Sequence, residues 1–324
     1  MNNFEEIFEE IKKHHSFYLS GHKNPDGDSK GSCECLRLCL EALGTEVLST
    51  CGFTESAKPQ VDSTSVPEVP SSVPEFDCFI QLDVQPDYRI PKEALEIKKQ
   101  AKSTICFDHH LYEGSGCDFE YVEPEASACA LIVWDFVKFT GVKITKEIAT
   151  AAYFGLCSDT NSFMNTNSDE RSFKAATEMM SYGVNASEVA QQLFQSRSLA
   201  SFELEKVALE HLYVDEQLHF AFSYLTAEDY KKYNATKDDS DAIIDLLREL
   251  ETVEVACVIR QEKAGEKIKG SLRSKGHTDV TKLAKLHTGG GHKAAAGFTT
   301  DFLDMPEAVE TVKTQLSDLM NGKI

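Results

Sequence analysis

The sequence predicts an α/β fold in which a doubly wound parallel sheet forms the first domain and a smaller α/β domain follows, with a cleft between the two. Up to about residue 195, short apolar runs alternate with stretches of helical periodicity, which is typical of a parallel sheet covered by helices on both faces. From about residue 197 the pattern changes to strand-like runs separated by short helical stretches. We therefore expect domains at residues 1–185 and 206–324, joined by a linker at 186–205.

Short β-branched and aromatic runs predict the strands of the first domain, and 3.6-residue periodicity predicts its helices. The strands are expected at residues 16–20, 45–49, 76–82 and 104–107. The helices are expected at residues 4–13, about 31–43, 126–139, 146–156, 169–182 and 185–195. Residues 54–75 are rich in Ser, Pro and Val without a period, so they predict a surface loop.

The second domain is expected to follow a connecting helix at residues 198–212. Its strands are expected at residues 218–224, 252–261, 267–274 and about 295–299. Its helices are expected at residues 226–232, 239–250, 280–286 and 305–320. A glycine-rich loop is expected at residues 289–292, just before the last strand.

The composition is that of a globular protein, with 41% hydrophobic residues and no apolar run that reaches the roughly 18–20 residues of a membrane span. Residues 1–13 are acidic and amphipathic, unlike a signal peptide. The ten cysteines lack the spacing of a disulfide framework and most lie in apolar runs, which predicts small buried side chains in a reducing cytosol. Cys35 and Cys39 are one helical turn apart without a second cluster, which favours core packing over a zinc site. We therefore expect a cytoplasmic protein with no membrane partner.

The net charge of −20 restricts the partners of the chain. Long nucleic acids are held by broad basic surfaces, so this charge argues against duplex DNA. Small phosphorylated substrates stay compatible with it, because a bound metal ion supplies positive charge locally. The acidity therefore excludes a duplex-binding protein more strongly than a nucleotide enzyme.

Three side chains of metal-ligand type follow the first predicted strand within one loop. A proline and a glycine force a tight turn there, so His22, Asp26 and Asp28 can converge. Gly31 and Ser32 are expected near the start of the next helix, where free backbone N–H groups favour a phosphate. The alternative for this loop is a capped strand-to-helix turn in which aspartate only forms the turn.

Carboxylates and imidazoles also follow the later apolar runs. Asp83 comes directly after the third predicted strand, and Asp108, His109 and His110 come at the end of the fourth. Asp159 lies in a small-residue break after a predicted helix. Because open α/β sheets bind their ligands at the carboxyl ends of parallel strands, we expect these side chains to meet in one crevice.

Carboxylates and imidazoles in one crevice indicate a metal-dependent phosphoesterase. Such a set can hold two divalent ions about 3.5–4 Å apart. Mixed imidazole and carboxylate ligands suit Mn²⁺, with Mg²⁺, Fe²⁺ and Co²⁺ as alternatives. A pair of ions can activate a water and stabilise both oxygens of an in-line phosphoryl displacement.

These motifs resemble those of a known family, the DHH phosphoesterase superfamily. The four metal motifs are His22-x3-Asp26-x-Asp28, Asp83 after a strand, Asp108-His109-His110 and Ser158-Asp159-Thr160. Two further motifs, Leu272-Arg273-Ser274 and Gly289-Gly290-Gly291-His292, resemble the signature of the DHH-associated substrate domain in the RecJ-like branch. The motifs span nearly the whole chain in the right order. Its length and its lack of added domains are most similar to the nanoRNase/pAp phosphatase group.

The resemblance implies a set of six metal ligands. It places His22 and Asp26 on one ion, and Asp28, His109 and Asp159 on the other, with Asp83 bridging the two. It also implies two catalytic residues, of which His110 faces the scissile phosphate and Asp108 supports the site from behind the ligands.

The resemblance further implies how the substrate is held and what it is. The substrate-binding residues are those of the second domain, namely Arg273, Ser274, Gly289, Gly290, Gly291 and His292. Glycine suits this segment because the backbone must approach a phosphate closely. The implied activity releases nucleoside monophosphates from very short single-stranded RNA and converts 3′-phosphoadenosine 5′-phosphate (pAp) to AMP. A homodimer is left open.

One departure from the family pattern concerns the segment after Asp159. Many relatives carry an arginine within a few residues of this motif, whereas this chain reads Asn161-Ser-Phe-Met-Asn-Thr-Asn167. The resemblance therefore transfers no phosphate contact to this segment.

Four other functions compete with this interpretation. A family II inorganic pyrophosphatase shares the metal motifs but lacks the Gly-Gly-Gly-His element. A phosphodiesterase for cyclic dinucleotides, or for linear products such as pApA, fits the same residues. A nucleotide-binding sensor would be favoured by a missing metal ligand, and none is missing. A long-strand exonuclease is disfavoured by the acidity and by the lack of an added nucleic-acid-binding module.

Overall fold

The computed structural model describes residues 1–49, 51 and 76–324. These residues divide into two units, Met1–Ser196 and Arg197–Ile324. The division falls inside the segment 186–205 that the sequence predicts as a linker. The predicted surface loop at 54–75 lies outside the described residues.

The first unit is built on a five-stranded parallel sheet. Its strands are β1 (Ser16–Ser20), β2 (Glu46–Ser49), β3 (Cys78–Leu82), β4 (Ser103–Asp108) and β5 (Phe119–Val122), in the order β2-β1-β3-β4-β5. Its helices are α1 (Phe4–Ile11), α2 (Gly27–Ala42), α3 (Lys92–Lys98), α4 (Cys129–Thr140), α5 (Lys146–Asp159), α6 (Glu170–Ser181) and α7 (Ala186–Phe194).

Helices cover both faces of this sheet, which confirms the doubly wound architecture. Side chains alternate between the faces along each strand. Phe17 and Leu19 of β1 therefore join the core formed with α2, α4 and α5, whereas Tyr18 joins a smaller core formed with α3. Apolar residues on both faces explain why the strands read as continuous hydrophobic runs in the sequence.

The site lies where the winding of the chain reverses. Strands β1 and β3 are neighbours, with Leu19 paired to Ile80. The chain leaves β1 through α2 towards β2, and it leaves β3 through α3 towards β4, on the opposite side. Such a switch point opens a crevice at the carboxyl ends of the two strands. The residues that follow β1, β3 and β4 are therefore brought to one edge of the sheet.

The start of α2 corrects one prediction. Asp26 caps this helix by accepting a hydrogen bond from the Ser29 N–H at 3.0 Å, so α2 begins at Gly27 rather than near Gly31. Gly31 and Ser32 consequently lie inside the helix and are buried. The phosphate site expected at their N–H groups is therefore wrong.

Gly31 has a packing role instead. A Cβ atom on this residue would lie 2.6 Å from both the carbonyl oxygen of Ala151 and the nitrogen of Gly155, so its absence allows α2 and α5 to pack closely. Helix α5 also continues to Asp159, so the break expected over residues 157–160 starts only after that carboxylate. Close packing of α2 on α5 brings Asp28 and Asp159 to the same end of the sheet.

Three elements lie in segments for which the sequence pattern predicts neither a helix, a strand nor a loop. These are α3, β5 and a three-residue strand of the second unit. Strand β5 lies at the edge of the sheet and only Val122 of its four residues is fully buried, so its sequence lacks the apolar run of a central strand.

The second unit contains a six-stranded mixed sheet. Its strands are β6 (Tyr213–Asp215), β7 (Phe220–Leu225), β8 (Val255–Arg260), β9 (Lys269–Ser274), β10 (Thr288–His292) and β11 (Ala295–Thr299), in the order β10-β11-β9-β8-β7-β6. Its helices are α8 (Leu199–Glu210), α9 (Ala227–Tyr233), α10 (Ile243–Arg248), α11 (Thr281–Ala284) and α12 (Met305–Met320). Helices α11 and α12 pack on one face, and α8, α9 and α10 pack on the other.

The glycine-rich segment of this unit is a strand rather than the expected loop. Residues 288–292 form β10, an exposed edge strand that pairs antiparallel with β11. Glycine is required here for close pairing, because a Cβ atom on Gly289 would lie 2.5 Å from the carbonyl oxygen of Gly297.

The burial of the cysteines agrees with the expected core packing. All ten are free, and only Cys117 is not fully buried. Within the described residues, we find no helix with the length and apolar character needed to cross a membrane.

Candidate metal centre

Imidazoles and carboxylates from four segments of the first unit converge at the carboxyl edge of the parallel sheet. They form three overlapping groups whose nitrogen and oxygen atoms lie within 4.8 Å of one another. The groups are His22–Asp26–Asp83, Asp28–His109–Asp159 and Asp83–His109–His110. Every side chain that the resemblance assigns as a metal ligand is therefore a member of this cluster.

Asp83 lies at the centre of the cluster and connects its two halves. Its Oδ2 atom is 3.6 Å from His22 Nε2, and its Oδ1 atom is 3.5 Å from His109 Nε2. The residue adopts a left-handed backbone conformation with φ of 61°, and its N–H donates to the carbonyl oxygen of Phe107 at 2.9 Å. This sharp turn directs the carboxylate across the ends of the strands, where left-handed non-glycine residues often mark function.

His109 presents one ring nitrogen to three carboxylates. Its Nδ1 is 3.1 Å from the carbonyl oxygen of Ala126, which only accepts hydrogen bonds, so Nδ1 carries the proton. Its Nε2 faces Asp28 Oδ2 at 3.7 Å, Asp83 Oδ1 at 3.5 Å and Asp159 Oδ2 at 3.9 Å. A histidine fixed through Nδ1 in this way is typical of a metal ligand.

Asp28 is buried and bonded to the start of another helix. Its Oδ2 accepts from the Cys129 N–H at 2.7 Å, and its Oδ1 accepts from the Ala130 N–H at 2.9 Å and from the Ser32 hydroxyl at 3.2 Å. These two N–H groups are the first of α4, where the helix dipole favours a negative charge.

One short stretch of backbone holds all three members of the Asp28–His109–Asp159 group. We call residues 126–130 the hub segment. Its Ala126 carbonyl accepts from His109, and its first helical N–H groups donate to Asp28. Its Ser127 carbonyl accepts from the Asn167 amide at 2.9 Å, and the same amide donates to Asp159 Oδ2 at 3.2 Å. Sequence reasoning missed this segment, because its contacts are made by the backbone.

His22 and Asp26 form the more open half of the cluster. Asp26 Oδ2 lies 3.7 Å from His22 Nε2, and 57% of the Asp26 side chain is exposed. Its other carboxylate oxygen caps α2. One oxygen of the Asp26 carboxylate therefore caps the helix, and the other is a candidate metal ligand. The two interpretations of this loop, a capped turn and a metal site, are compatible.

Asp108 supports His110 from behind the cluster. Its Oδ1 accepts from His110 Nδ1 at 2.8 Å and from the His109 N–H at 2.8 Å. Its Oδ2 accepts from the Gln85 amide at 2.8 Å. Burial would raise the pKa of Asp108, but these hydrogen bonds and His110 lower it below its usual range. The buried Gln85 is a second residue that sequence reasoning missed, since a glutamine carries no motif signal.

The donor set fits divalent ions. Two ligands that each lie about 2.0–2.2 Å from one ion are about 3–3.6 Å apart, close to the separations between His109 Nε2 and its carboxylates. Asp83 Oδ1 is a buried oxygen that has no hydrogen-bond partner within the described residues. A buried acceptor without a donor is costly, and a cation would satisfy it.

The charges also favour a cation at this site. Burial, together with the neighbouring Asp159 and Asp26, raises the pKa of Asp28 to about 7 despite the opposing effect of His109. Burial and Asp28 raise the pKa of Asp83 well above its usual range. Burial alone would lower the pKa of His109, but the surrounding carboxylates raise it to about 10. Without a metal ion, these side chains therefore retain protons, which a divalent ion would displace on binding.

The candidate substrate residues lie in the second unit. Ala295 of β11 pairs with His292 of β10 on one side and with Arg273 of β9 on the other. The side chains of Arg273 and His292 therefore emerge on the same face of the sheet, about 10 Å apart. Arg273 Nε is 3.8 Å from Asp245 Oδ1. The Ser274 side chain is instead buried and donates to the Thr278 carbonyl at 2.9 Å.

Two family models match the chain, one in each unit. The DHH family N-terminal domain matches residues 16–156, and the DHHA1 domain matches residues 217–318. The bifunctional oligoribonuclease and PAP phosphatase NrnA of Thermus thermophilus is 30% identical over 91% of this chain and 87% of its own length. This chain belongs to the DHH phosphoesterase family. The DHH resemblance drawn from the motifs is thereby confirmed, and with it the class of enzyme, a hydrolase of phosphoric esters.

Two solved structures share the fold of nearly the whole chain. An exopolyphosphatase-related protein of Bacteroides fragilis superposes with a TM-score of 0.85 at 23% identity, covering 98% of this chain and 96% of its own. Exonuclease RecJ bound to manganese superposes with a TM-score of 0.56 at 14% identity, covering 99% of this chain and 95% of its own. At these identities the likeness establishes the fold alone.

Proposed function

We propose that this DHH protein uses two divalent metal ions, most suitably Mn²⁺, to hydrolyse very short RNA to nucleoside monophosphates and pAp to AMP. The observation that carries the metal part is the position of Asp83, whose two oxygens face His22 and His109 from opposite halves of the cluster. A carboxylate shared in this way suits a bridge between two ions. We also propose a cytoplasmic location, because ten free cysteines suit a reducing compartment.

Each side chain of the cluster has a role in this proposal. His22 and Asp26 would hold one ion, Asp28, His109 and Asp159 the other, and Asp83 both. The pair of ions would supply the positive charge that activates a water and stabilises the phosphoryl oxygens. Asp108 accepts a hydrogen bond from His110 Nδ1 and so fixes the orientation of that ring. His110, one third exposed, would then present Nε2 to the scissile phosphate.

Residues of the second unit would bind the substrate in this proposal. Arg273 offers a planar fork that matches phosphate oxygens, and His292 lies on the same face of the sheet. The exposed backbone of β10 has no side chains at its three glycines, so a phosphate or ribose can approach it. The Thermus thermophilus relative carries both activities in its name, which supports short RNA and pAp as substrates here.

The preferred length of the substrate tests this proposal. Each phosphate added to a short strand meets a protein of net charge −20 rather than a basic track, so longer strands gain little. We expect kcat/KM to be highest for pAp or for RNA of about two to five nucleotides, to fall with length, and to be absent for duplex DNA. The measurement compares a labelled 2-mer, 5-mer and 24-mer with Mn²⁺. Processive degradation of the 24-mer at the rate of the 2-mer would contradict the proposal.

The same assay discriminates the rival substrates. A panel of pAp, RNA oligomers, pApA, cyclic dinucleotides and pyrophosphate separates an oligoribonuclease from a dinucleotide phosphodiesterase and from a pyrophosphatase. Turnover of cyclic dinucleotides or pApA alone would favour the phosphodiesterase, and binding without turnover of any member would favour a sensor.

The role of Arg273 is tested by its replacement. Arg273→Ala should raise KM for pAp about 10- to 150-fold, because a charged contact to phosphate contributes about 1.5–3 kcal/mol. Bound Mn²⁺ should be unchanged. Arg248→Ala is the matched control, since Arg248 also contacts Asp245, at 3.1 Å, and is not among the predicted substrate residues. Loss of bound metal at an unchanged KM would show that the role of Arg273 is misassigned.

A further inference from the structure

Asn167 makes a set of contacts that no part of the motif pattern assigns. Its amide nitrogen donates to the Ser127 carbonyl at 2.9 Å, to Asp159 Oδ2 at 3.2 Å and to the Asp159 carbonyl at 3.3 Å. One amide therefore connects the carboxylate and the main chain of Asp159 to the hub segment. The oxygen it contacts, Oδ2, is also the one that faces His109 Nε2 at 3.9 Å.

An unusual backbone turn returns the chain to this position. Asn161, Ser162 and Phe163 have φ values of 47°, 56° and 65°, so three consecutive non-glycine residues adopt the left-handed conformation. This conformation costs roughly 1–2 kcal/mol per residue. The Thr160 hydroxyl and carbonyl stabilise the turn by accepting from the N–H groups of Phe163 and Asn165 at 3.1 and 3.0 Å.

The position of Asp159 explains why it needs such a partner. Asp159 is the last residue of α5, and a carboxylate at the C-terminal end of a helix is disfavoured by the helix dipole. A donor that fixes Oδ2 opposes this effect and limits the rotation of the carboxylate away from His109.

We propose that Asn167 is a positioning residue that orients the Asp159 carboxylate as a ligand for the ion shared with Asp28 and His109. The inference rests on the proposed two-metal function. The segment that follows Asp159 therefore serves the metal site in this proposal. It acts by tying Asp159 to the same stretch of backbone that already holds the other two ligands.

Calorimetric titration of the chelator-treated protein with Mn²⁺ tests the proposal without relying on activity. In Asn167→Leu, the affinity for one Mn²⁺ should fall about 10- to 100-fold, the usual effect of removing a partner that orients a ligand. Asn165→Leu is the matched control, because its amide lies in the same turn but donates to the Asp159 carbonyl, at 3.0 Å, rather than to the carboxylate. Its Mn²⁺ affinity should stay within about twofold of the original.

A double-mutant cycle shows whether Asn167 acts through Asp159. In an Asp159→Ala background, Asn167→Leu should cause no further loss of Mn²⁺ affinity, since its target is gone. Additive losses, or equal affinities of Asn167→Leu and the original protein, would overturn the inference. Failure of the original protein to bind Mn²⁺ would instead overturn the proposed function. Thermal unfolding in EDTA verifies the fold, and Asn167→Ala replaces the leucine variant if that variant is unfolded.

Discussion

Asp26 and Asp28 are two residues apart in the chain, yet they belong to two differently built halves of the cluster. Asp28 is 1% exposed and accepts three hydrogen bonds, two of them from the backbone of α4. Asp26 has a side chain that is 57% exposed, and it caps its own helix. The first half is fixed by the interior of the protein, and the second half by a turn at its surface.

The difference shows how the two halves are stabilised before any ion binds. The Asp28–His109–Asp159 half is held by the hub segment, so its candidate ligands are oriented in advance at the expense of burying charge. The His22–Asp26 half keeps contact with solvent, which lowers the cost of its charge. A preorganised site binds its ion with less loss of conformational entropy. The three predictions that follow test this contrast.

The largest effect is expected at Asp83, the residue common to both halves. Asp83→Asn should lower turnover about 1000-fold or more, because metal ions supply several kcal/mol of transition-state stabilisation and this change affects the binding of both. The far-ultraviolet circular dichroism spectrum should be unchanged. The assay is turnover of pAp with Mn²⁺, before and after treatment with a chelator.

A matched substitution in the second unit serves as the control for Asp83. Asp301→Asn changes an aspartate whose side chain is 90% exposed, and it should leave turnover unchanged. A folded Asp83→Asn protein with near-native turnover would remove Asp83 from the centre of the site.

A smaller effect should distinguish Asp28 from Asp26 directly. At pH 6 in EDTA, Asp28→Ala should lower the free energy of unfolding by about 2–3 kcal/mol, since it leaves the buried Cys129 and Ala130 N–H groups without an acceptor. Asp26→Ala should lower it by about 1 kcal/mol, the usual value for a helix cap. Urea unfolding followed by the fluorescence of Trp134, which is buried in the first unit, gives both values. Equal losses would show that the two halves are held alike.

The smallest effect is expected in the pH dependence of the metal-free protein. The folded pKa of Asp28, about 7, lies above its value in the unfolded chain, so the folded state binds more protons as the pH falls through 7. Stability in EDTA should therefore rise by about 1 kcal/mol from pH 8 to pH 6. His109, whose pKa is also raised, acts in the same direction. The pKa of Asp26 is lowered, mainly because His22 outweighs its burial, so its contribution changes only below about pH 4.

Asp28→Asn separates these contributions. It should reduce the rise in stability between pH 8 and pH 6, because the residue no longer titrates, whereas Asp26→Asn should leave it unchanged. A fall in stability over the same range would mean that the site is not crowded with negative charge in the absence of metal.

Patterns along the chain predict the positions of the site residues better than they predict the contacts between them. Asp83 and Asp108 are found from the ends of apolar strands, because buried parallel strands give a clear signal and their carboxyl ends must meet. The start of α2 is predicted too late in the chain, since a proline and a glycine suggest a loop where the Asp26 cap in fact begins a helix. The local pattern does not show that Asp26, a residue of the expected turn, also caps the helix.

The parts of the site that escape prediction are made by the backbone or by neutral amides. Ala126, Ser127 and Cys129 contribute carbonyl and N–H groups, which every residue type carries. Gln85 and Asn167 act through hydrogen bonds across more than twenty residues of sequence. In β10 the glycines suggest a loop, although here they allow close pairing with β11 at the edge of the sheet.

The hub segment determines how the site responds to motion elsewhere in the molecule. Asp28 and His109 bond to residues 126–130 directly, and Asp159 does so through Asn167. A shift of the sheet against its helices would therefore move these candidate ligands together and leave their mutual spacing nearly constant. His22 lies on the loop that follows β1 and, within the described residues, is not connected to the hub segment. Thermal fluctuations of the fold would therefore change the distance between the two halves more than the geometry within the Asp28 half. Asp83 faces both halves, so its carboxylate must adjust its position as the distance between them changes.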